Sequence, residues 1–106
     1  MLYENKKVIV CGMARSGISA AKLLASVGAD VTLQDMKPMD VLIKLHDIEA
    51  YKKAGIKIFA GANPDDIIDS FDYAVLSPGV PCDLPFIKKA KSSGVKVISE
   101  VELAYT

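Results

Sequence analysis

Apolar residues change their spacing along this chain in a regular way, and the changes divide it into alternating strands and helices. Lys7-Val8-Ile9-Val10-Cys11-Gly12 is a continuous apolar run that stops at a glycine, the pattern of a strand buried on both faces of a parallel sheet. From Ser16 to Val27 the period lengthens. Ile18, Ala21, Leu24 and Ala25 recur at helical spacing, Ser16 is placed to cap the start, and Gly28 supplies a permissive stop. Ala29 to Asp35 returns to β-branched and apolar residues and ends on an acid, which predicts a second strand, with Pro38 marking the loop beyond it.

The alternation then repeats. Val41, Leu45, Ile48 and Lys52 fall on one helical face in a segment that closes at Gly55, and Ile56 to Ala60 reads as a third strand. Pro64 opens a short helix through Ser70, Tyr73 to Ser77 is a fourth strand, Leu84 to Ser93 a helix, and Val95 to Ile98 a fifth strand. Short loops between alternating strands and helices imply right-handed crossovers. The expected fold is therefore α/β, a Rossmann-like doubly wound five-stranded parallel sheet of order 3-2-1-4-5 with helices on both faces, forming one domain over residues 1–106.

Composition narrows the partners. Of 106 residues 51% are apolar, enough to bury roughly two thirds of the unfolded surface as one domain. Thirteen lysines and arginines offset 13 aspartates and glutamates, so no net field gathers nucleic acid or an acidic membrane surface. The apolar run after Lys6 and Lys7 is too short, and too soon broken by Gly12 and Arg15, for a signal or membrane helix. Cys11 and Cys82 lack zinc-site spacing and are expected to be reduced thiols, consistent with a cytoplasmic protein.

In such a sheet, ligands bind beyond the carboxyl ends of the strands, where strand order reverses, here between strands one and four. Three features fall on that edge. Gly12-Met13-Ala14-Arg15-Ser16-Gly17 has outer glycines for a tight turn and close helix packing, with helix-end N–H groups toward an anion. Arg15 within it can pair with phosphate or point into solvent. Ala14 stands where a dinucleotide fingerprint prefers glycine, which counts against ordinary NAD binding. Asp35, about twenty residues on, can accept hydrogen bonds from a ribose or base, or simply cap its loop; Lys37 beside it can approach a base or phosphate. The third feature is Ser77-Pro78-Gly79-Val80-Pro81, where proline and glycine fix a turn and Ser77 offers a hydroxyl beside the glycine loop.

Other candidate groups carry no chemistry. His46 has no constellation that would make it a metal ligand or base and reads as part of a solvated helix face. Glu100 and Glu102 share no pocket by their spacing. No catalytic residue and no metal site is assigned.

Taken in order, the glycine loop from Gly12 to Gly17, Asp35, Ser77-Pro78-Gly79-Val80-Pro81 and Glu100-Val101-Glu102-Leu103 resemble the N-terminal, UDP-binding domain of the Mur ligases, in the branch that adds D-glutamate. The resemblance covers essentially the whole chain. It implies a cytoplasmic peptidoglycan-synthesis enzyme that uses ATP and magnesium to activate a carboxylate as an acyl-phosphate, which the D-glutamate amine attacks. This domain would hold the UDP end of UDP-N-acetylmuramoyl-L-alanine. By that resemblance Ala14, Arg15, Ser16 and Gly17 line the diphosphate and uridine site, Asp35 and the following loop meet the uracil, and Ser77 and Gly79 close the other side. Met36 and Lys37 occupy the loop where the family places polar side chains.

The chain contains no Gly-x-x-x-x-Gly-Lys-Ser/Thr segment to cradle ATP phosphates. ATP and magnesium are thus expected in the full-length enzyme and not on this segment, with the central ATPase and C-terminal domains lying beyond Thr106. The same loop and Asp35 also leave open an NAD(P)-binding domain of a dehydrogenase, or a ligand-sensing module.

Overall fold

Five consecutive residues, Lys7–Cys11, form the first strand (β1), and from Val8 onward all of them are buried. Val8 and Val10 turn to one face of the sheet and Ile9 and Cys11 to the other, as the two-residue period of a strand demands. A strand apolar on both faces needs a layer of structure on each, and the rest of the chain supplies both. The computed structural model describes residues 3–77 and 84–99.

After β1 come helix α1 (Arg15–Ser26), strand β2 (Asp30–Asp35), helices α2 (Met39–Leu45) and α3 (Ile48–Lys53), and strand β3 (Lys57–Ala60). A 3₁₀ turn (Ile68–Ser70), strand β4 (Tyr73–Leu76), helix α4 (Pro85–Ser92) and strand β5 (Lys96–Ser99) complete the described chain. The strands are parallel and lie in the order β3-β2-β1-β4-β5, as the alternation of periods predicts.

The chain before β3 covers one face of the sheet: Leu24 of α1, Leu42 of α2, and Ile48 and Tyr51 of α3 pack with Val8, Val10, Val31, Leu33 and Val75. Beyond β3 it crosses to the other face, where Phe86, Ile87 and Ala90 of α4 and Ile68 of the 3₁₀ turn pack with Ile9, Cys11, Ala74 and Leu76. This change of side after β3 leaves β1 and β4 adjacent in the sheet but remote in sequence, and so creates the crevice at their carboxyl ends.

Three local expectations are corrected. The segment from Val41 to Lys52 is two helices rather than one, because His46 is extended (φ −138°, ψ 154°) and Asp47 caps a new start by accepting the Ala50 N–H at 3.2 Å. The break resets the helical phase, so Leu42 is fully buried while Leu45, expected inward, is 59% exposed. After Pro64 the chain makes turns and then only a 3₁₀ turn, Ile68–Ser70, in place of the expected short helix. Ser16 does not cap α1: the capping position belongs to Ala14, and Ser16 lies inside the first turn.

Candidate functional site

Register places the three sequence features at one level. Cys11 pairs with Gln34 of β2 and with Leu76 of β4. The next residue of each strand, Gly12, Asp35 and Ser77, therefore emerges at the same edge of the sheet. Gly12 turns the chain with φ +99°, a conformation an L-residue rarely adopts, and donates its N–H to the Gln34 carbonyl at 2.7 Å. Met13 then buries its side chain against the first core face, and Ala14 stands extended (φ −78°, ψ 168°) at the head of α1.

Helix α1 begins without a side-chain cap and without an acidic residue in its first turn. Ile18 is the residue whose N–H reaches back to the Ala14 carbonyl, at 2.9 Å. The N–H groups of Arg15, Ser16 and Gly17 precede that bond and have no intrahelical acceptor. Together with the positive end of the helix dipole they form a set of donors suited to an anion. Ala14, Arg15 and Ser16 are exposed and Gly17 is buried, so the loop presents backbone and an exposed arginine to solvent and packs its glycine inward.

Asp35 has a larger structural part than its sequence position suggests. Its carboxylate accepts the Met13 N–H on Oδ2 and the Lys37 N–H on Oδ1, both at 2.9 Å, and its carbonyl accepts the Gly61 N–H at 3.0 Å. The loop-capping reading of Asp35 is therefore realised, and the half-buried carboxylate still lies at the mouth of the crevice. Lys37 joins the site through its backbone; its side chain is exposed. Ser77 is buried beside the loop, its N–H facing the Cys11 carbonyl and its hydroxyl the Gly12 carbonyl, each at 3.4 Å. Gly79, with the rest of the Pro78–Pro81 turn, lies outside the described residues, as do Cys82, Glu100 and Glu102.

One residue at this edge escaped the reading of the sequence. Gln34 is only 4% exposed, its Nε2 donates to the Ala62 carbonyl at 2.8 Å, and its backbone holds Gly12. The available signal was a long amide directly after Leu33 in a strand that is buried at Val31 to Gln34, since a buried polar side chain requires a partner. Cys11, one residue before the loop, is buried, and burial pushes its thiol up to about 12. It is a core residue and no nucleophile. Among the described residues no cluster of histidine, cysteine or carboxylate side chains converges as a metal site, and no helix is long and apolar enough to cross a membrane.

Fold and site together define a doubly wound α/β domain in which a glycine turn feeds a bare helix start at the strand-switch edge. Comparison with known proteins narrows that class. The family model described as the N-terminal domain of MurD-like Mur ligases matches residues 6–99, and the chain belongs to this family. The UDP-N-acetylmuramoylalanine–D-glutamate ligase of Streptococcus pyogenes serotype M1 is 41% identical over 104 residues, covering 97% of this chain. The chain spans 22% of the length of that relative. Among solved structures, a pseudomurein peptide ligase type C from Methanothermus fervidus superposes with a TM-score of 0.76 at 25% identity, over 96% of this chain and 20% of its own. UDP-N-acetylmuramate-alanine ligase MurC from Thermotoga maritima gives 0.66 at 26% identity, over 93% of this chain and 22% of its own. The family match does not favour a dehydrogenase domain.

Proposed function

We propose that this chain holds the UDP end of UDP-N-acetylmuramoyl-L-alanine, as the substrate-binding part of an ATP-dependent ligase that adds D-glutamate during peptidoglycan precursor synthesis. The observation that carries the reading is the uncapped N-terminus of α1 at the strand-switch edge, with Arg15 beside it. The diphosphate lies against the backbone N–H groups of Ala14, Arg15, Ser16 and Gly17, with Gly12 making the turn. The uracil lies over the loop from Asp35 to Lys37, and Ser77 and Gly79 form the opposite wall.

This chain's part is recognition and orientation. Its residues do not fit ATP: the sequence has no phosphate-binding loop of the Gly-x-x-x-x-Gly-Lys type, and the described residues gather no carboxylates for magnesium. Both, with the D-glutamate site, are assigned to other domains of a full-length ligase. A dehydrogenase-type site is disfavoured by Ala14, which stands where the dinucleotide fingerprint prefers glycine.

Titration calorimetry of the chain with UDP-N-acetylmuramoyl-L-alanine and with NADH tests the proposal. Saturable heat with the UDP compound, reduced by Arg15→Ala, and none with NADH is the expected outcome. Saturable binding of NADH in its place overturns it.

A further inference from the structure

The β1–α1 loop poses a mechanical question. Its turn is made at a glycine, its helix has no side-chain cap, and a string of unpaired donors must nevertheless hold one geometry to be useful to an anion. Something outside the loop has to fix it. The Met13 side chain anchors it below, and the Gly12 N–H anchors it to the Gln34 carbonyl at 2.7 Å. Neither contact sets the direction of the backbone just before the helix. That direction is set where the Met13 N–H turns sideways onto Asp35 Oδ2.

The same residue engages two further loops. Oδ1 accepts the Lys37 N–H from the β2–α2 loop, and the Asp35 carbonyl accepts the Gly61 N–H from the loop after β3. Gln34 adds a parallel strut, its Nε2 on the Ala62 carbonyl at 2.8 Å. Three loops that arrive from three different strands are thus tied at the end of β2, and two of them share one carboxylate.

We propose that Asp35 is a positioning residue: its carboxylate clamps the Met13 and Lys37 amides so that the donors of the glycine loop and the base-facing loop are held in fixed relation before the ligand arrives. The part of this inference that concerns affinity rests on the UDP-binding reading above; the clamp itself does not. A carboxylate suits the task because it accepts on both oxygens. An asparagine offers one acceptor and turns its NH₂ toward the second donor, so one of the two bonds is lost.

The clamp and a purely electrostatic role predict opposite signs. A negative charge beside a diphosphate repels it, so if Asp35 acted on the ligand only through its charge, Asp35→Asn would tighten binding of the UDP compound. If it acts by holding the loop, the same change loosens binding. Hydrogen bonds to a charged acceptor are the stronger kind, so losing one is expected to speed local amide exchange by about ten-fold and weaken binding by a similar factor.

The test is amide hydrogen exchange by NMR on the ligand-free chain, with binding of UDP-N-acetylmuramoyl-L-alanine measured in parallel for wild type, Asp35→Asn and Asp35→Glu. The expected result is faster exchange at Met13 and Lys37 in Asp35→Asn, with Val10 and Leu33 in the neighbouring strands exchanging as in wild type. Binding weakens, and Asp35→Glu, which keeps both acceptors, recovers part of each effect. Wild-type exchange at Met13 and Lys37 in Asp35→Asn overturns the clamp, and so does tighter binding. A wild-type chain that fails to bind the UDP compound contradicts the functional reading instead, and the exchange rates then decide the clamp by themselves.

Discussion

Helices α1 and α3 begin in opposite ways. Asp47 caps α3 through its bond to the Ala50 N–H, and Glu49 adds a second acid in the first turn. Every feature there neutralises the positive end of the helix and occupies its free donors. Helix α1 has Ala14 at the capping position, Arg15 at the next and no acid in its first turn. The two starts lie on the same side of one sheet, so packing does not account for the contrast. Helices α2 and α4 also begin without a side-chain cap, but α2 carries Asp40 in its first turn and α4 begins at Pro85, which has no N–H to satisfy. Helix α1 has neither, and it opens at the crevice, where a ligand can take the place of a cap.

The contrast is broken most strongly at Gly17. It is buried in the first turn of α1, and a valine there overpacks the turn at a cost of about 1–3 kcal/mol. If that cost falls on the bound geometry, affinity for UDP-N-acetylmuramoyl-L-alanine drops by roughly ten-fold to a hundred-fold. Calorimetry of Gly17→Val measures it.

A sharper test gives α1 the cap it lacks. Ala14 already has the extended conformation of a capping residue. Ala14→Asp is therefore expected to stabilise the free protein by about 1 kcal/mol. It should also weaken binding of the UDP compound, because the new carboxylate occupies a donor and adds a like charge. Thermal melting and titration on the same variant check both signs. A variant that gains stability and keeps full affinity would show that the helix start does not receive the diphosphate.

The mirror experiment removes the cap from α3. Asp47→Ala is expected to cost about 1 kcal/mol, a fall in melting temperature of roughly 4–8 °C for a domain of this size, with ligand affinity unchanged. The smallest effect at neutral pH belongs to Cys11. Its folded pKa is raised from 9.0 to about 12, so the neutral thiol contributes its full stability below pH 9.0, and that contribution is lost as pH rises toward the folded value. Folded protein is expected to resist a thiol reagent at neutral pH at this position, and unfolded protein to react.

The strands and their order were legible because their signal is redundant. Val8 to Cys11 are apolar on both faces, and in β2 Val31 and Leu33 fill one face while Thr32 and Gln34 are buried on the other, so a covered parallel sheet accommodates both strands. The α2–α3 break was legible in principle, since Asp47 followed by Ile48-Glu49-Ala50 is a helix-start pattern. The spacing of Val41, Leu45 and Ile48 imitates one continuous helix and masks it. At the site, the glycine loop and Asp35 stood out by residue type, yet the bonds of Asp35 did not. They depend on β1 and β2 pairing in one register, with Cys11 opposite Gln34, and register is a property of two strands that neither carries alone. Gln34 was overlooked for the same reason.

Whether the bare start of α1 receives the UDP end of the substrate decides the function proposed for this chain. An NMR titration of the chain, comparing UDP-N-acetylmuramoyl-L-alanine with NADH, tests it most directly. Amide shifts from Gly12 to Gly17 and around Asp35 are expected with the UDP compound alone. Shifts at that loop with NADH alone, or UDP-induced shifts centred on α3 instead, would contradict it.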